Sequence, residues 1–449
     1  MANDALPGRV YLAVILIGLL PAWMILLPLD ITSDPQDWQV FVRANSFAVP
    51  LAQIVFVLLA MGSTFSPFQS IKSLPRTTKA ALLILVVISF IISFQGEKDY
   101  LLASIGMFKL GIAGLFFLAL IDLRANFGIP FLLRLWVSLG IGIVLFALLW
   151  TIHIFLISPQ GEDWVTRIPG VNNVRHTGHF ALAGVVAGLF GVIAFRNSTN
   201  TWLRWPLPLL LGSTGLGLAL WTGSRGPLLA SLVTMFATIC IASRHRKIVA
   251  TFCVASALAA TAAVALLPVP HPIYGIAGAT GMADVSAVGE HDVSSGRTVL
   301  WAGTIDKISQ RPLLGWGVNQ FLVSGPSKPV SFFHPHNFPL QLIFSGGIVS
   351  LLLSFLIVFP ILRRWKWPYI NGPSAAGVGG VVGILAYSLF DGSLYFSYPT
   401  TIFLVAIASS IAPAAEQCDR DMSGQPVPTG SGTAQAFGAA DPATTMNAA

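Results

Sequence analysis

Apolar residues occur along this chain in long runs that are separated by short polar segments. A helix needs roughly 20 apolar residues to cross about 30 Å of hydrocarbon. The runs that meet this length, or come close to it, are 10–28, 46–64, 78–95, 101–122, 136–157, 179–195, 206–222, 227–242, 248–267, 338–361, 374–390 and 399–413. The pattern predicts an all-α integral membrane protein with about 12 transmembrane helices.

The division between 206–222 and 227–242 depends on one polar break, Ser224-Arg225-Gly226. Charge supports this division, because short cytoplasmic loops carry an excess of Lys and Arg. With the N-terminus inside, the inner segments hold 15 basic and six acidic residues, and the outer segments hold nine basic and twelve acidic residues. If any one of these spans were not counted as transmembrane, the basic cluster at 244–247 or the one at 363–366 would fall on the outer side. We therefore expect both termini to be cytoplasmic.

Composition agrees with a protein that is mostly surrounded by lipid. Hydrophobic residues make up 55% of the chain and charged residues 10%, with a mean hydropathy of +0.76. The formal charge of +7 reflects the excess of basic residues in the predicted cytoplasmic segments. It favours anionic lipid headgroups as partners over nucleic acid. The three cysteines form neither a disulfide framework nor a metal pair.

The chain is predicted to contain one membrane domain and one tail. Residues 1–413 form the polytopic domain, whose first apolar run is interpreted as a retained anchor helix. Residues 414–449 are rich in Ala, Gly, Pro, Ser and Thr, which predicts a disordered cytoplasmic tail.

The loop at 268–337 is the one long outer segment. Its first part, to Ala287, is rich in Pro, Gly and Ala and is predicted to be irregular. Ser294-Ser295 then caps a predicted helix that carries Arg297, Trp301, Ile305 and Ile308 on one face and ends before Pro312. We expect this face to lie on the membrane surface or against the bundle.

Three polar residues that a bilayer disfavours fall on the outer side in this threading: Arg225, Arg297 and His336. Each also has a structural interpretation. Arg225 is compatible with an interfacial arginine that extends to water, Arg297 with a solvated helix residue, and His336 with a packing or capping histidine. Lys109, near the middle of its span, is predicted to face the bundle or to extend inward; its partner is unknown.

A resemblance to a known family rests on several motifs: Thr222-Gly-Ser-Arg-Gly226, Arg297-Thr-Val-Leu-Trp301, Pro312-Leu-Leu-Gly-Trp-Gly317, Phe321, and His336-Asn337 followed by Gly347. Together these resemble the O-antigen ligase and polymerase family of bacterial envelope proteins, over about 210–360. One departure is the sequence Ser350-Leu351, where the ligase pattern commonly has Thr-Gly.

The resemblance implies a glycosyltransferase of the bacterial inner membrane with a periplasmic active site. Its donor would be a glycan on polyprenyl diphosphate, and its acceptor a hydroxyl of lipid A-core or of another glycan, without cofactor or metal. Arg225 and Arg297 would neutralise the diphosphate leaving group and His336 would assist the acceptor as a base. Other polysaccharide-assembly proteins are further possible partners.

The remaining candidates are substrate-binding residues, for which structural interpretations stay open. They are Ser224, Asn337, Arg175, His334, Trp301 and Asp391. His334 is the alternative base if the alignment is shifted, and Asp391 is compatible with a plain exit turn. Glu290-His291-Asp292 with His271 lacks the spacing of a metal site.

Three functions compete with ligation. A polymerase of O-antigen or exopolysaccharide repeat units shares the same chemistry. A transporter or flippase of lipid-linked glycans would place its charged groups near mid-membrane, with broken helices in repeated positions. A structural scaffold of an envelope complex would tolerate loss of Arg297 and His336.

Overall fold

The computed structural model describes residues 6–26, 38–95, 99–153, 177–269, 274–280, 297–326, 334–362 and 372–411. Regular structure in these ranges is helical. The helices are α1 (Gly8–Gly18), α2 (Leu20–Leu26), α3 (Trp38–Met61), α4 (Pro67–Ser73), α5 (Arg76–Ser93), α6 (Tyr100–Ile152), α7 (Gly178–Ala194), α8 (Thr201–Arg204), α9 (Pro206–Trp221), α10 (Arg225–Ile241), α11 (Arg246–Leu266), α12 (Gly275–Thr280), α13 (Arg297–Gln310), α14 (Phe321–Ser324), α15 (Phe338–Leu362), α16 (Ser374–Ser388) and α17 (Ser397–Ser410). The predicted tail at 414–449 lies outside the described residues.

Four helical segments are long and apolar enough to cross a membrane: Arg76–Ser93, Tyr100–Ile152, Ser243–Leu266 and Phe338–Pro360. Shorter apolar helices accompany them, including α7, α10 and α16. The chain is therefore a multi-pass membrane protein, which confirms the all-α membrane class. The number of twelve spans and the periplasmic placement of the long loop stay predictions.

Segments that the threading places on one side of the membrane contact each other. Predicted inner segments are joined by Arg9 to the Gly62 carbonyl, by Arg124 to the Ile411 carbonyl, and by Arg196 to His245. Predicted outer segments are joined by Asp99 to Gln320, by Trp221 to the Pro268 carbonyl, and by Arg297 to the Phe390 carbonyl. These contacts are consistent with an alternating chain.

The core centres on α7, which is buried along almost its whole length. A Cβ atom at Gly184 would lie 2.8 Å from the Cα atom of Gly215 on α9, so the two backbones touch. Small residues allow this approach, which stabilises helix pairs where lipid supplies no hydrophobic driving force. At one end, a Cβ at Gly178 would meet Pro227, so the N-termini of α7 and α10 lie side by side.

Two predicted boundaries coincide with breaks between helices. The division at Ser224 is confirmed, because α9 ends at Trp221 and α10 begins at Arg225. The predicted spans 101–122 and 136–157 lie in α6, in which two helices meet at a kink at Gly128, where φ is 62° and ψ is −148°. This kink lies within the predicted inner segment 123–135.

The predicted face of α13 packs on the bundle in part. Ile308 packs with Leu300 against Phe344 of α15, whereas Ile305 is 53% exposed. The buried residues Leu300 and Thr304 lie one position before the predicted face. The alternative, that the face lies on the membrane surface, stays a prediction.

The segment after α13 docks into a break in α15. Trp316 and Gly317 donate backbone hydrogen bonds of 2.7 and 2.8 Å to the carbonyls of Phe344 and Ser345. These carbonyls lie just before the non-helical residues Gly346 and Gly347. The loop and the broken helix therefore satisfy each other's backbone groups, which hydrocarbon cannot do.

Gly347→Ala should destabilise the fold. Gly347 has φ 65° and ψ −171°, a region that is essentially restricted to glycine, and a Cβ there would lie 2.0 Å from the Leu313 carbonyl oxygen. We expect a loss of at least about 1–3 kcal/mol, measured as a lower thermal unfolding midpoint in detergent. Gly114→Ala is the matched control, because a Cβ at Gly114 meets nothing within 4 Å. Equal midpoints for the two variants would contradict this account of the break.

Candidate functional site

Two turns meet at the end of the bundle that holds the predicted outer residues. One is His334–Asn337, which leads into α15, and the other is Leu389–Gly392, which follows α16. His336 Nδ1 lies 3.3 Å from Asp391 Oδ1, and Asn337 Nδ2 donates a 2.9 Å hydrogen bond to the Leu389 carbonyl. We call this pair of turns, with the start of α13, the two-turn site.

The start of α13 completes the two-turn site. Arg297 Nη1 donates a 2.5 Å hydrogen bond to the Phe390 carbonyl, and Trp301 Nε1 donates a 2.8 Å bond to the Pro335 carbonyl. One helix therefore contacts both turns. Arg297 and His336, predicted from separate motifs, both contact the short segment 390–391.

The backbone of His336 is in the left-handed region, with φ 53°. Its N–H donates a 3.1 Å hydrogen bond to His334 Nδ1, which helps to hold this unfavourable conformation. The His336 side chain remains 26% exposed. The turn therefore holds a partly exposed imidazole whose Nδ1 faces a carboxylate.

His334 has a different environment. It is 4% exposed, and its ring centroid lies 4.2 Å from that of His336 and 4.8 Å from that of Tyr395. A Cβ at Gly392 would collide with the His334 ring, so the second turn packs directly on it. This geometry assigns packing and orientation to His334 and favours His336 as the residue that meets a substrate.

Asp391 is 19% exposed, and its Oδ1 also accepts a 2.7 Å hydrogen bond from the Gly392 N–H. Burial raises the pKa of the Asp391 carboxyl, but the hydrogen bond with His336 and the nearby rings of His179 and His334 outweigh burial and bring the pKa below its ordinary value. Asp391 is therefore a carboxylate at neutral pH.

Arg225 reaches the same region through its neighbour. It is exposed at the first position of α10, and a Cβ at Gly226 would lie 2.6 Å from the ring of Tyr387. The Tyr387 carbonyl accepts a 3.0 Å backbone hydrogen bond from the Asp391 N–H. The start of α10 thus packs on a residue that contacts the two-turn site, although none of the described hydrogen bonds joins Arg225 to His336.

The other predicted residues have these places. Asn337 caps α15 by accepting a 2.9 Å hydrogen bond from the Leu340 N–H. Ser224 is 7% exposed, and its Oγ has no hydrogen-bond partner among the described residues. Arg175 lies outside the described residues, as do His271 and 290–292. The residues that the structure describes contain no group of three possible metal ligands.

Sequence reasoning missed Tyr387. It lies one helical turn before Asp391 and links that residue to Gly226. Tyr387 could have been singled out from the sequence, because it stands in an otherwise apolar helix four residues before a carboxylate.

The lowered pKa of Asp391 can be tested through the pH dependence of the protein's stability. A folded pKa below the ordinary value of about 4 means that the ionised carboxylate stabilises the fold above this pH, and that this stability is lost as the pH falls toward the folded pKa. Asp391→Asn removes the contribution. Between about pH 6 and about pH 3 the variant's thermal unfolding midpoint should therefore fall less than that of the wild type.

Asp306→Asn, on the exposed part of α13, is the control and should follow the wild-type pH dependence. The lowered pKa of Asp391 would be contradicted if the difference in thermal unfolding midpoint between wild type and Asp391→Asn were the same at both pH values.

Comparisons with known proteins agree with the family that the motifs indicated. Residues 207–355 match the model of a family described as O-antigen ligase. A protein of Pseudomonas aeruginosa named O-antigen ligase is 27% identical over 239 residues, which are 51% of this chain and 53% of that protein. The match thus spans about half the length of this relative. The resemblance seen in the sequence is confirmed: residues 207–355 of this chain are similar to the O-antigen ligase family.

Proposed function

We propose that this chain is an inner-membrane glycosyltransferase that acts on the periplasmic face. It transfers a glycan from polyprenyl diphosphate to a hydroxyl of an acceptor, in the manner of an O-antigen ligase that acts on lipid A-core. The observation that carries the proposal is the 3.3 Å contact between His336 and Asp391, on the turn that Arg297 also contacts.

His336 acts as the general base in this proposal. A hydroxyl is a poor nucleophile until its proton begins to leave, and an imidazole near the surface is suited to accept that proton. Nδ1 of His336 faces Asp391, so Nε2 is the nitrogen that meets the acceptor. Asp391 orients the ring and stabilises the imidazolium that forms, as carboxylates do in other histidine-dependent sites.

The arginines act on the leaving group. As the acceptor oxygen bonds to the anomeric carbon, the bond from that carbon to the diphosphate oxygen breaks and its electron pair stays on the diphosphate. A guanidinium has five N–H donors and binds phosphate oxygens in a bidentate manner. Arg297 uses one nitrogen on the Phe390 carbonyl, and Arg225 is exposed at the start of α10.

The remaining predicted residues have supporting roles. Trp301 and Asn337 fix the turn that carries His336, through their bonds to the carbonyls of Pro335 and Leu389. The free hydroxyl of Ser224 precedes Arg225 and is proposed to contact the donor. Arg175 is retained as a substrate-binding residue on the sequence argument alone.

The product tests the function. Purified protein is given a lipid-linked glycan and lipid A-core, and the products are separated by mass. Glycan on lipid A-core is the expected result. Longer chains that remain lipid-linked would assign a polymerase instead. Movement of the donor across a sealed bilayer without a new covalent product would assign a transporter.

His336→Ala should lower kcat by about 10²–10⁴-fold, the contribution of a general base. The measurement is the rate of glycan transfer from purified lipid-linked donor. His153→Ala is the matched control, because His153 stacks on Trp150 away from the two-turn site and should leave kcat unchanged. Wild-type kcat in a folded His336→Ala protein would remove the base from the mechanism.

Arg297→Lys keeps the charge but loses the planar fork of donors. We expect kcat/KM to fall about ten-fold or more, because an ammonium replaces bidentate contacts with a point charge. Arg311→Lys is the comparison, since Arg311 stacks 4.3 Å from the Trp316 ring centroid outside the site. Equal kcat/KM for the two variants would show that Arg297 serves the fold alone.

A further inference from the structure

A second polar feature lies beside the two-turn site, among the helices. A cavity of about 320 Å³ is bounded by parts of α5, α6, α15 and α17. Tyr395 lines it, donates a 2.7 Å hydrogen bond to Asn319, and stacks near His334. The cavity is therefore next to the histidines of the two-turn site.

Lys109 supplies the charge in this cavity. It lies nine residues after the start of α6, a rise of roughly 14 Å along the helix. An ammonium at such depth is expensive unless it meets polar groups or a counter-ion. No Asp or Glu occurs among the described residues that line the cavity, so its wall supplies no negative charge.

Two neighbouring residues that line the cavity carry buried polar atoms without a hydrogen-bond partner among the described residues. Gln341 and Ser350 are 7% and 3% exposed. The Gln341 amide bonds through one end to Ser345, at 3.0 Å. Its other end and the Ser350 hydroxyl have no hydrogen-bond partner among the described residues. Because buried polar groups are nearly always paired, these atoms mark a place for a bound polar group.

The chemistry of the three groups defines the ligand. An ammonium binds a phosphate oxygen, an amide carbonyl accepts from a sugar hydroxyl, and a serine hydroxyl does either. We propose that the cavity binds a sugar phosphate carried by a glycolipid, with Lys109 on the phosphate and Gln341 on the sugar. That this glycolipid is one of the two transfer substrates rests on the function proposed above.

Equilibrium binding to the purified protein in nanodiscs tests the proposal without turnover. The probes are lipid-linked sugar diphosphate, phosphorylated lipid A, its dephosphorylated form, and phosphatidylglycerol. Wild type should bind at least one phosphorylated glycolipid about ten-fold or more tightly than dephosphorylated lipid A, the size of one charge-assisted hydrogen bond. The probe that shows this preference identifies whether donor or acceptor occupies the cavity.

Lys109→Met should lose that preference and Lys109→Arg should keep it. Lys247→Met, the same change at an exposed position, is the matched control and should bind as wild type. Should Lys109→Met fold poorly, Gln341→Glu places a carboxylate beside the phosphate and should abolish the preference too.

If a folded Lys109→Met or Gln341→Glu protein kept the wild-type preference for the phosphorylated glycolipid, the proposed binding site would be contradicted. If phosphatidylglycerol bound as tightly as the preferred glycolipid, with the same dependence on Lys109, the proposal that the cavity recognises a sugar would be contradicted. A wild type that binds but transfers no glycan would contradict only the proposed function, and the binding site would stand.

Discussion

The contact between His336 and Asp391 joins two turns that are 55 residues apart in the chain. Three helices depend on this junction for their relative positions: α13 through Arg297, α15 through Asn337, and α16 through the turn that follows it. An imidazole, a carboxylate and several backbone carbonyls are thus paired at one end of an apolar bundle. In a low-dielectric setting an unpaired member of such a set would be costly, which is why the turns are held so closely.

The junction also divides the site between two parts of the chain. The segment that matches the family, 207–355, contains Arg225, Arg297 and His336. Asp391 and Lys109 lie outside it, after and before the matched segment. The matched segment therefore carries the proposed base and the proposed arginines, whereas the carboxylate proposed to orient the base lies outside it. The polar cavity is lined from both parts, with Lys109 outside the matched segment and part of α15 inside it. The matched segment alone would lack Asp391.

Much of this arrangement follows from the sequence. Hydrophobic runs predicted the helical membrane class, and the break at Ser224 located the start of α10 and hence Arg225. Motifs singled out His336 and Arg297, and positive charge sorted the loops into sets that contact each other. Asp391 was included as a substrate-binding residue, without its contact to His336.

What the sequence did not provide are contacts between distant segments. No local pattern tells that Asp391 faces His336, that Tyr387 joins Asp391 to Gly226, or that the Pro312–Gly317 loop enters the break in α15. Lys109 stood out by its cost in hydrocarbon, but its cavity is formed by helices that are distant from one another in the sequence. The burial of Leu300 and Thr304 on α13 was not predicted, because a short helix with few apolar residues has no clear stripe.

The most direct test of the central junction is steady-state glycan transfer by wild type and by Asp391→Asn with purified lipid-linked donor. Because Asp391 orients and stabilises the His336 imidazolium, the variant should lose kcat by about 10²-fold or more while KM for the donor stays near the wild-type value. A folded Asp391→Asn protein with wild-type kcat would contradict the account.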